Sequence, residues 1–385
     1  MSKRRCKGKA QDREARFEPA YRDLLIALNL RRDLPNGSAY RLASCLEEWV
    51  DCRARGAPNL ALAERCGVSR EALERALELR GLAPELAERE GERAAGFGAR
   101  ILTLADADYP PPLKELSLPP PVLYLRGELP AGPALTVVGS RRADLYGLEV
   151  TRLFARELAR AGVTIVSGFA TGIDAAAHQS ALTVPEGRTV AVLGCGLGVD
   201  YPSGHRRLAA ELAERGALLS EYPPGTPPAR WQFPVRNRIL AALSQATLVA
   251  RATARSGSLG TARLALDLGR DLWAIPGRLF EPGSEGPNGL IRAGAHVALH
   301  PGDLLESLGL TQEPPVARGP RAEPAASRSP AERLLALFLP TQPLYPEEIA
   351  EKTGLSSAET AALLLELELG GELRRLPGGA FLRPL

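Results

Sequence analysis

Thr136-Val137-Val138-Gly139-Ser140-Arg141-Arg142 is answered further along the chain by Ile165-Val166-Ser167-Gly168-Phe169-Ala170-Thr171-Gly172. In each, a β-branched run meets a glycine, a nearby small hydroxyl side chain and then a helical apolar pattern. That order places a tight turn at the carboxyl end of a strand. Such a turn beside a helix N-terminus suits a phosphate, and Arg141 adds a planar cationic fork. Gly139, Ser140, Arg141, Ser167 and Gly168 are therefore candidate binding residues.

Outward from this pair, strand and helix patterns alternate through residues 104–305. Strands are predicted at 135–138, 164–167, 189–193, 217–220, 247–250, 272–275 and 296–299, with helical spacing in nearly every gap. The alternation implies an α/β fold with right-handed crossovers and a mainly parallel sheet covered on both faces. Its ligand crevice should lie beyond the carboxyl ends of the strands. Just before, 122–125 reads as an edge strand, because the proline runs Tyr109-Pro110-Pro111-Pro112 and Leu118-Pro119-Pro120-Pro121 ahead of it withhold donors.

Residues 19–103 show helical spacing, as in Leu24, Leu25, Leu28 and then Leu42, Cys45, Leu46, Trp49, and predict a small helical domain. Inside it, Leu62-Ala63-Glu64-Arg65-Cys66-Gly67-Val68-Ser69-Arg70-Glu71-Ala72-Leu73 has the form of a helix-turn-helix. Its Arg70, Arg75 and Arg80 are balanced by Glu71, Glu74 and Glu78, so packing or protein interaction is expected there in preference to DNA reading. Residues 1–18 read as a solvated basic arm and 306–329 as a linker. Residues 330–385 predict three helices and a hairpin about Pro377-Gly378-Gly379, which together make a winged helix. Its phrase Ile349-Ala350-Glu351-Lys352-Thr353-Gly354-Leu355-Ser356 echoes the one at Leu62. The presumed recognition helix, 356–369, carries Glu359, Glu366 and Glu368 without Lys or Arg, which disfavours a phosphate backbone and favours a protein partner.

Composition bounds the rest. The net charge of +3 over 385 residues decides little, and five cysteines without CxxC spacing indicate neither a disulfide framework nor a zinc site. The thiols, the lack of an apolar leader and the lack of a membrane-length apolar run point to a cytoplasmic protein. The location of the charge says more. Between Gly225 and Arg278 eight arginines face two aspartates, a local balance of +6. Trp231, Phe233 and Trp273 are interleaved with them in a chain that is 5% aromatic. Guanidinium groups beside stackable rings suit single-stranded nucleic acid. They are densest at Arg230, Phe233, Arg236, Asn237 and Arg238, where Pro234 marks a helix's first turn. A second helix start at Ser256, Gly257 and Ser258 offers amides and hydroxyls to another phosphate. Generic nucleotide fingerprints fail: Leu193-Gly194-Cys195-Gly196-Leu197-Gly198-Val199 lacks the last glycine of GxGxxG, and no Walker lysine is present. Asp174 and His178, at i and i+4, are expected to hydrogen-bond and fix a helix start, with no nucleophile or metal set beside them.

The motifs Val138-Gly139-Ser140-Arg141, Ser167 through His178, Leu193-Gly194-Cys195-Gly196-Leu197, Tyr201-Pro202, Ser220-Glu221-Tyr222-Pro223-Pro224-Gly225, Phe233-Pro234-Val235-Arg236-Asn237-Arg238, Ser256-Gly257-Ser258-Leu259 and Ala274-Ile275-Pro276-Gly277 occur in that order. Together they resemble the DNA-processing protein A family (DprA/Smf) over about residues 100–300. The resemblance implies a Rossmann-like domain between a sterile-alpha-motif-like (SAM-like) helical domain and a winged helix. It further implies a bacterial cytoplasmic protein, without cofactor, metal or catalytic residue, that binds incoming single-stranded DNA during natural transformation. Such a protein helps load the RecA recombinase and acts as a homodimer through the Rossmann-like domain. Carried over by motif, phosphate contacts fall on Ser140, Arg141, Gly168, Arg230, Arg238, Ser256 and Gly257, and base stacking on Phe233. Two positions depart: Arg251 stands where the family usually has Glu, and Gly260 where it has Ile. An alternative on the same fold is an enzyme resembling the nucleotide phosphoribohydrolases with their PGGxGTxxE signature. Here Ser256-Gly257-Ser258-Leu259-Gly260-Thr261-Ala262-Arg263-Leu264 keeps Gly-Thr but puts Leu264 at the catalytic carboxylate's place.

Overall fold

The computed structural model describes residues 21–31, 34, 38–45, 60–310, 329–338 and 343–383. The expected arm at 1–18, most of the expected linker, and Leu46 and Trp49 lie outside the described residues. The centre is a nine-stranded sheet of β1 (Arg100–Thr103), β2 (Val122–Gly127), β3 (Ala134–Val138), β4 (Thr164–Ser167), β5 (Thr189–Val192), β6 (Ala217–Ser220), β7 (Ala246–Val249), β8 (Asp271–Ala274) and β9 (His296–Val297). Their order is β1-β2-β6-β5-β4-β3-β7-β8-β9. All neighbours from β6 through β9 run parallel, and only β1 and β2 are antiparallel additions. The order reverses at β3, which has β4 on one side and β7 on the other; a crevice therefore opens beyond its carboxyl end.

The connecting helices are α1 (Leu145–Arg160), α2 (Ile173–Thr183), α3 (Arg206–Arg215), α4 (Gln232–Leu243), α5 (Ser258–Asp267), α6 (Pro282–Arg292) and α7 (Pro301–Ser307). Leu135, Val137, Ile165 and Leu248 face α1, α2 and α7, whereas Val138, Val166, Val192 and Val249 face α4 and α5. Burial on both faces explains why these strands are continuous apolar runs without alternation.

Two expectations change at the sheet's first edge. The edge strand is β1, at residues assigned above to the helical region, and β2 lies inside the sheet between β1 and β6. The prolines brace β2 from outside the ladder: Tyr109 is fully buried and donates its hydroxyl to the Pro120 carbonyl at 2.7 Å.

The N-terminal helices, among them Leu60–Arg65, Arg70–Glu78 and Ala83–Gly96, form one apolar cluster with Val122, Tyr124, Ala191, Leu193, Leu212 and Leu218. They share a core with the sheet, so their apolar stripe covers what would otherwise be an open face. In the helix-turn-helix phrase Gly67 turns with φ 63°, and Ser69 caps the second helix by accepting from the Ala72 amide at 3.1 Å. Its cations are consumed locally by the pairs Arg70–Glu74 and Arg75–Glu71.

A buried clasp ties this helical layer to α4. Arg238 donates to both Glu221 carboxylate oxygens at 3.0 and 2.6 Å, and the Tyr40 hydroxyl donates to the same carboxylate at 3.0 Å. Asn29 donates to the Glu221 carbonyl, and the Arg238 guanidinium lies over the Tyr40 ring.

The C-terminal winged helix comprises helices Pro330–Leu335, Pro346–Thr353 and Ser357–Leu369 with the hairpin of β10 (Arg374–Arg375) and β11 (Phe381–Leu382). Leu334, Phe338, Ile349, Leu364, Leu367 and Phe381 fill its separate core. Arg374 reaches the buried Glu149 on α1. Among the described residues no helix is long and apolar enough to cross a membrane.

Asp174 and His178 do not bond each other as expected. Asp174 accepts from the Ala170 amide, and His178 Nδ1 lies 2.6 Å from the Thr189 hydroxyl. That hydroxyl donates to the Ile165 carbonyl, so it accepts from Nδ1–H and leaves Nε2 bare. Burial, with the nearby His205 and Arg236 charges adding to it, lowers the His178 pKa from 6.5 to about 3.

Two measurements follow. Removing one partner of a buried, hydrogen-bonded ion pair leaves the other uncompensated, so Glu221→Ala should lower stability by about 3–5 kcal/mol in urea unfolding. His178 stays neutral in the folded protein while the unfolded chain takes a proton below 6.5; its contribution is complete above 6.5 and lost as pH falls toward 3. Within that window, His178→Gln should make stability less steeply dependent on pH, by about 1.4 kcal/mol per unit.

Candidate nucleic-acid interface

A cleft of about 1010 Å³ opens where the strand order reverses. One wall is the β3 exit, Gly139, Ser140 and Arg141, and the floor includes Ala170 and Asp174. The start of α4 supplies Arg230, Phe233, Pro234 and Asn237; the start of α5 supplies Ser256, Gly257, Ser258, Gly260 and Thr261.

The β3 turn is locked by its own hydrogen bonds. Ser140 donates its amide to the Arg251 carbonyl at 2.7 Å, and Arg142 donates its amide to the Ser140 hydroxyl oxygen at 3.1 Å. These amides are consumed by the fold, contrary to the expectation that the turn presents a free donor cluster. What it does present is the Arg141 side chain. This is exposed, rests 5.0 Å above the Phe233 ring and approaches the Tyr201 hydroxyl at 3.5 Å. Tyr201 and Phe233 are tilted neighbours at 5.5 Å, and Phe233 packs so closely on Gly194 that a Cβ there would come within 2.7 Å of the ring. The result is a half-exposed aromatic platform with a mobile-length cation on top.

Across the cleft, α5 begins at Ser258 with Gly257 as its N-cap and no capping side chain or acidic residue in its first turn. The Leu259 and Gly260 amides already donate to the Ser256 and Gly257 carbonyls and the Ser258 amide to the Ser256 hydroxyl, so what this end offers an anion is the helix dipole and the two serine hydroxyls. The Ser256 and Ser258 hydroxyls sit 2.7 Å apart at that end.

The arginines divide sharply. Arg230, Arg255 and Arg263 are exposed and have no carboxylate partner among the described residues, as is also true of Arg141. Arg238 is locked on Glu221, Arg251 on Asp144 and Glu281, Arg270 on Glu115 and Arg278 on Glu281. Arg236 lines the floor but is 4% exposed, and its guanidinium donates to the Gly168 and Val192 carbonyls. Burial pushes its pKa down and that of Asp174 up, each opposed by the other's charge. Its work is to hold the β4 and β5 exits together.

Of the expected contacts, the cleft thus gathers Gly139, Ser140, Arg141, Arg230, Phe233, Arg236, Asn237, Ser256, Gly257 and Ser258. Ser167, Gly168 and Arg238 stand outside it. Ser167 is buried with its hydroxyl on the Val137 carbonyl at 2.6 Å. A Cβ on Gly168 would meet Arg236 and Asp174 at 2.7 Å, so this glycine makes room for the floor. Among the cleft residues that escaped assignment are Tyr201, Thr261 and Arg263. The signal for Arg263 was available, since Gly260, Arg263, Leu264 and Asp267 fall at three- and four-residue spacing on α5 and all line the cleft.

Arg251 resolves its own question. It is 1% exposed, and its guanidinium bonds Asp144, Glu281 at 2.9 Å and Ser284, over the Tyr146 ring. The cation therefore sits behind the cleft wall and adds nothing to the basic surface. Gly260 leaves open space near Asn237 Nδ2, where a Cβ would have its nearest neighbour at 3.8 Å.

Comparison with known proteins fits this geometry. The family model for DNA recombination-mediator protein A matches residues 100–309, and the DprA winged helix domain matches residues 319–379. Protein Smf of Escherichia coli strain K12 is 44% identical over 288 residues, covering 71% of this chain and 75% of that protein. DNA processing protein DprA of Bacillus subtilis strain 168 is 39% identical over 214 residues, covering 55% and 72%. The crystal structure of DNA processing protein A from Streptococcus pneumoniae superposes with a TM-score of 0.59 at 30% identity, covering 74% of this chain and 97% of that one. Sheet topology, the cleft at the β3 reversal and the winged helix behind it therefore have one explanation: this chain belongs to the DNA recombination-mediator protein A (DprA/Smf) family.

Proposed function

We propose that this protein binds single-stranded DNA in the cleft as a non-catalytic mediator. In this reading it works in the cytoplasm as a homodimer and helps load a RecA-type recombinase on DNA taken up during natural transformation. The observation that carries the DNA assignment is the convergence of Arg141, Arg230 and Arg263, all without carboxylate partners among the described residues, on one cleft with the Phe233–Tyr201 platform. Unpaired cations take phosphates, and a ring takes an unstacked base, which a duplex does not offer. The Ser256 and Ser258 hydroxyls at the positive end of the α5 dipole supply a second phosphate position. Arg238, Gly168 and Ser167 act in this scheme as scaffold.

A hydrolase reading lacks its key group. Leu264 lines the cleft at the position of the phosphoribohydrolase carboxylate, Asp174 is buried under Arg236, and the next cleft carboxylate, Asp267, stands three residues beyond the signature position.

Anisotropy titration with a labelled oligothymidylate tests the assignment. Arg141→Ala and Phe233→Ala should each weaken binding roughly ten-fold. Because the two side chains touch, the double variant should lose less than the product of the singles. Arg141→Ala should also lower the slope of log affinity against log salt by about 0.7, the share of one phosphate on a single strand. Unchanged affinity in the double variant would remove the cleft from consideration. Incubation with AMP should release no adenine; turnover would instead restore the enzyme reading.

A further inference from the structure

Trp231 immediately follows Arg230 and precedes Phe233 by two residues, yet it does not line the cleft as they do. It is the N-cap residue of α4 and is 61% exposed. Its contact is perpendicular, with Tyr222 at 5.9 Å and 83°, which braces the indole and leaves most of its surface uncovered. The backbone beneath it is closed: the Gln232 amide donates to the Ala229 carbonyl at 3.0 Å, and the Ala229 amide donates back to the Gln232 side-chain oxygen. Tyr222 in turn is buried and directs its hydroxyl toward the Gln232 carbonyl. The ring is held in place and offered to solvent.

The other described tryptophan shows what this chain does with an indole for packing alone. Trp273 is 8% exposed and stacked on His296 at 4.8 Å. An indole leaves a large apolar area in water unless something covers it. Arg230, one residue away, lines the cleft, is exposed and has no carboxylate partner among the described residues. A phosphate held there places the adjoining nucleotide within reach of Trp231.

We propose that Trp231 is a second stacking platform, outside the cleft, for the nucleotide that follows the one held through Arg230. The proposal rests on the reading of the cleft as a single-strand site. It makes that site longer than the cleft and sorts strands by length as well as by strandedness. An indole face accepts any base, so little sequence preference accompanies it.

The test is a length series of oligothymidylates titrated against the full chain and against Trp231→Ala, Trp231→Phe and Phe233→Ala. Trp231→Ala should bind the shortest oligomers like the parent and longer ones roughly ten-fold more weakly, while Trp231→Phe keeps most of the long-oligomer affinity. Long oligomers should quench the parent's tryptophan emission more than that of Trp231→Phe. If Trp231→Ala matches the parent at every length while Phe233→Ala weakens all of them, the second platform is refuted and the cleft stands. An equal loss at every length in Trp231→Ala also refutes it, by placing Trp231 in the cleft or the fold. Failure of the cleft itself has a different signature, in which Phe233→Ala too leaves every length unchanged.

Discussion

No side chain fits at position 139, and the cleft depends on that exclusion. A Cβ on Gly139 would stand 2.5 Å from the Ile173 side chain and 2.8 Å from the Arg251 carbonyl oxygen. Through this gap the backbone passes from β3 into its turn, with the Ser140 amide on the Arg251 carbonyl and the Ser140 carbonyl accepting from the Ile173 amide at 3.2 Å. The second bond satisfies an otherwise orphaned donor at the start of α2. One turn thus fixes the exits of β3 and β7 and the entry of α2 in common. The Arg141 side chain is placed over Phe233 as a consequence. A larger residue at 139 would have to displace backbone, since two of the three obstructing elements cannot rotate away.

Behind that turn, Arg251 completes the arrangement by charge. A buried guanidinium is costly unless its donors are matched, and here Asp144, Glu281 and Ser284 match them. Asp144 also accepts from the Gly147 amide at 2.8 Å as the N-cap of α1, so one carboxylate serves a helix start and a buried cation. The space for the cation comes from three glycines: a Cβ at Gly147, Gly277 or Gly283 would fall within 3 Å of the Arg251 side chain. The charge departure at this position is balanced within the same neighbourhood and leaves the cleft's own electrostatics untouched.

The inner strands of the parallel sheet, β3 to β7, were legible because each is a short β-branched or apolar run, a pattern that two-sided burial imposes. β1 was not legible: Arg100–Thr103 is four residues long, with an exposed arginine at its outer end, and its strand character comes from pairing with β2. Charge was legible only as a sum. The balance of +6 between Gly225 and Arg278 pointed to the segment that forms the cleft, yet the carboxylates that neutralise part of it, Glu115, Asp144 and Glu221, lie earlier in the chain. Arg236 and Arg238 sit two residues apart in the densest basic motif and both turn into the fold. Arg230, at the start of that motif, and Arg263, on α5, line the cleft and have no carboxylate partner among the described residues. Composition finds a basic region; topology decides which of its cations are already engaged.

The two ends of the chain use one local device for different purposes. Gly67 and Gly354 both turn with positive φ, at 63° and 72°, and Ser69 and Ser356 both cap the helix that follows. At the N-terminal end the device folds an apolar stripe onto the sheet beside β5 and β6. At the C-terminal end it builds a helix that carries Glu366 and Glu368, with Leu365 57% and Leu369 81% exposed. A helix with that surface repels phosphates and offers an apolar contact, whereas the N-terminal copy has spent its cations on neighbouring glutamates. Neither of these two helix pairs, as described, carries the electrostatic footprint of a groove reader. The similarity of form to a DNA-binding motif reflects an economical way to cross two helices, and under the proposed function the contacts to nucleic acid fall to the reversal point of the sheet.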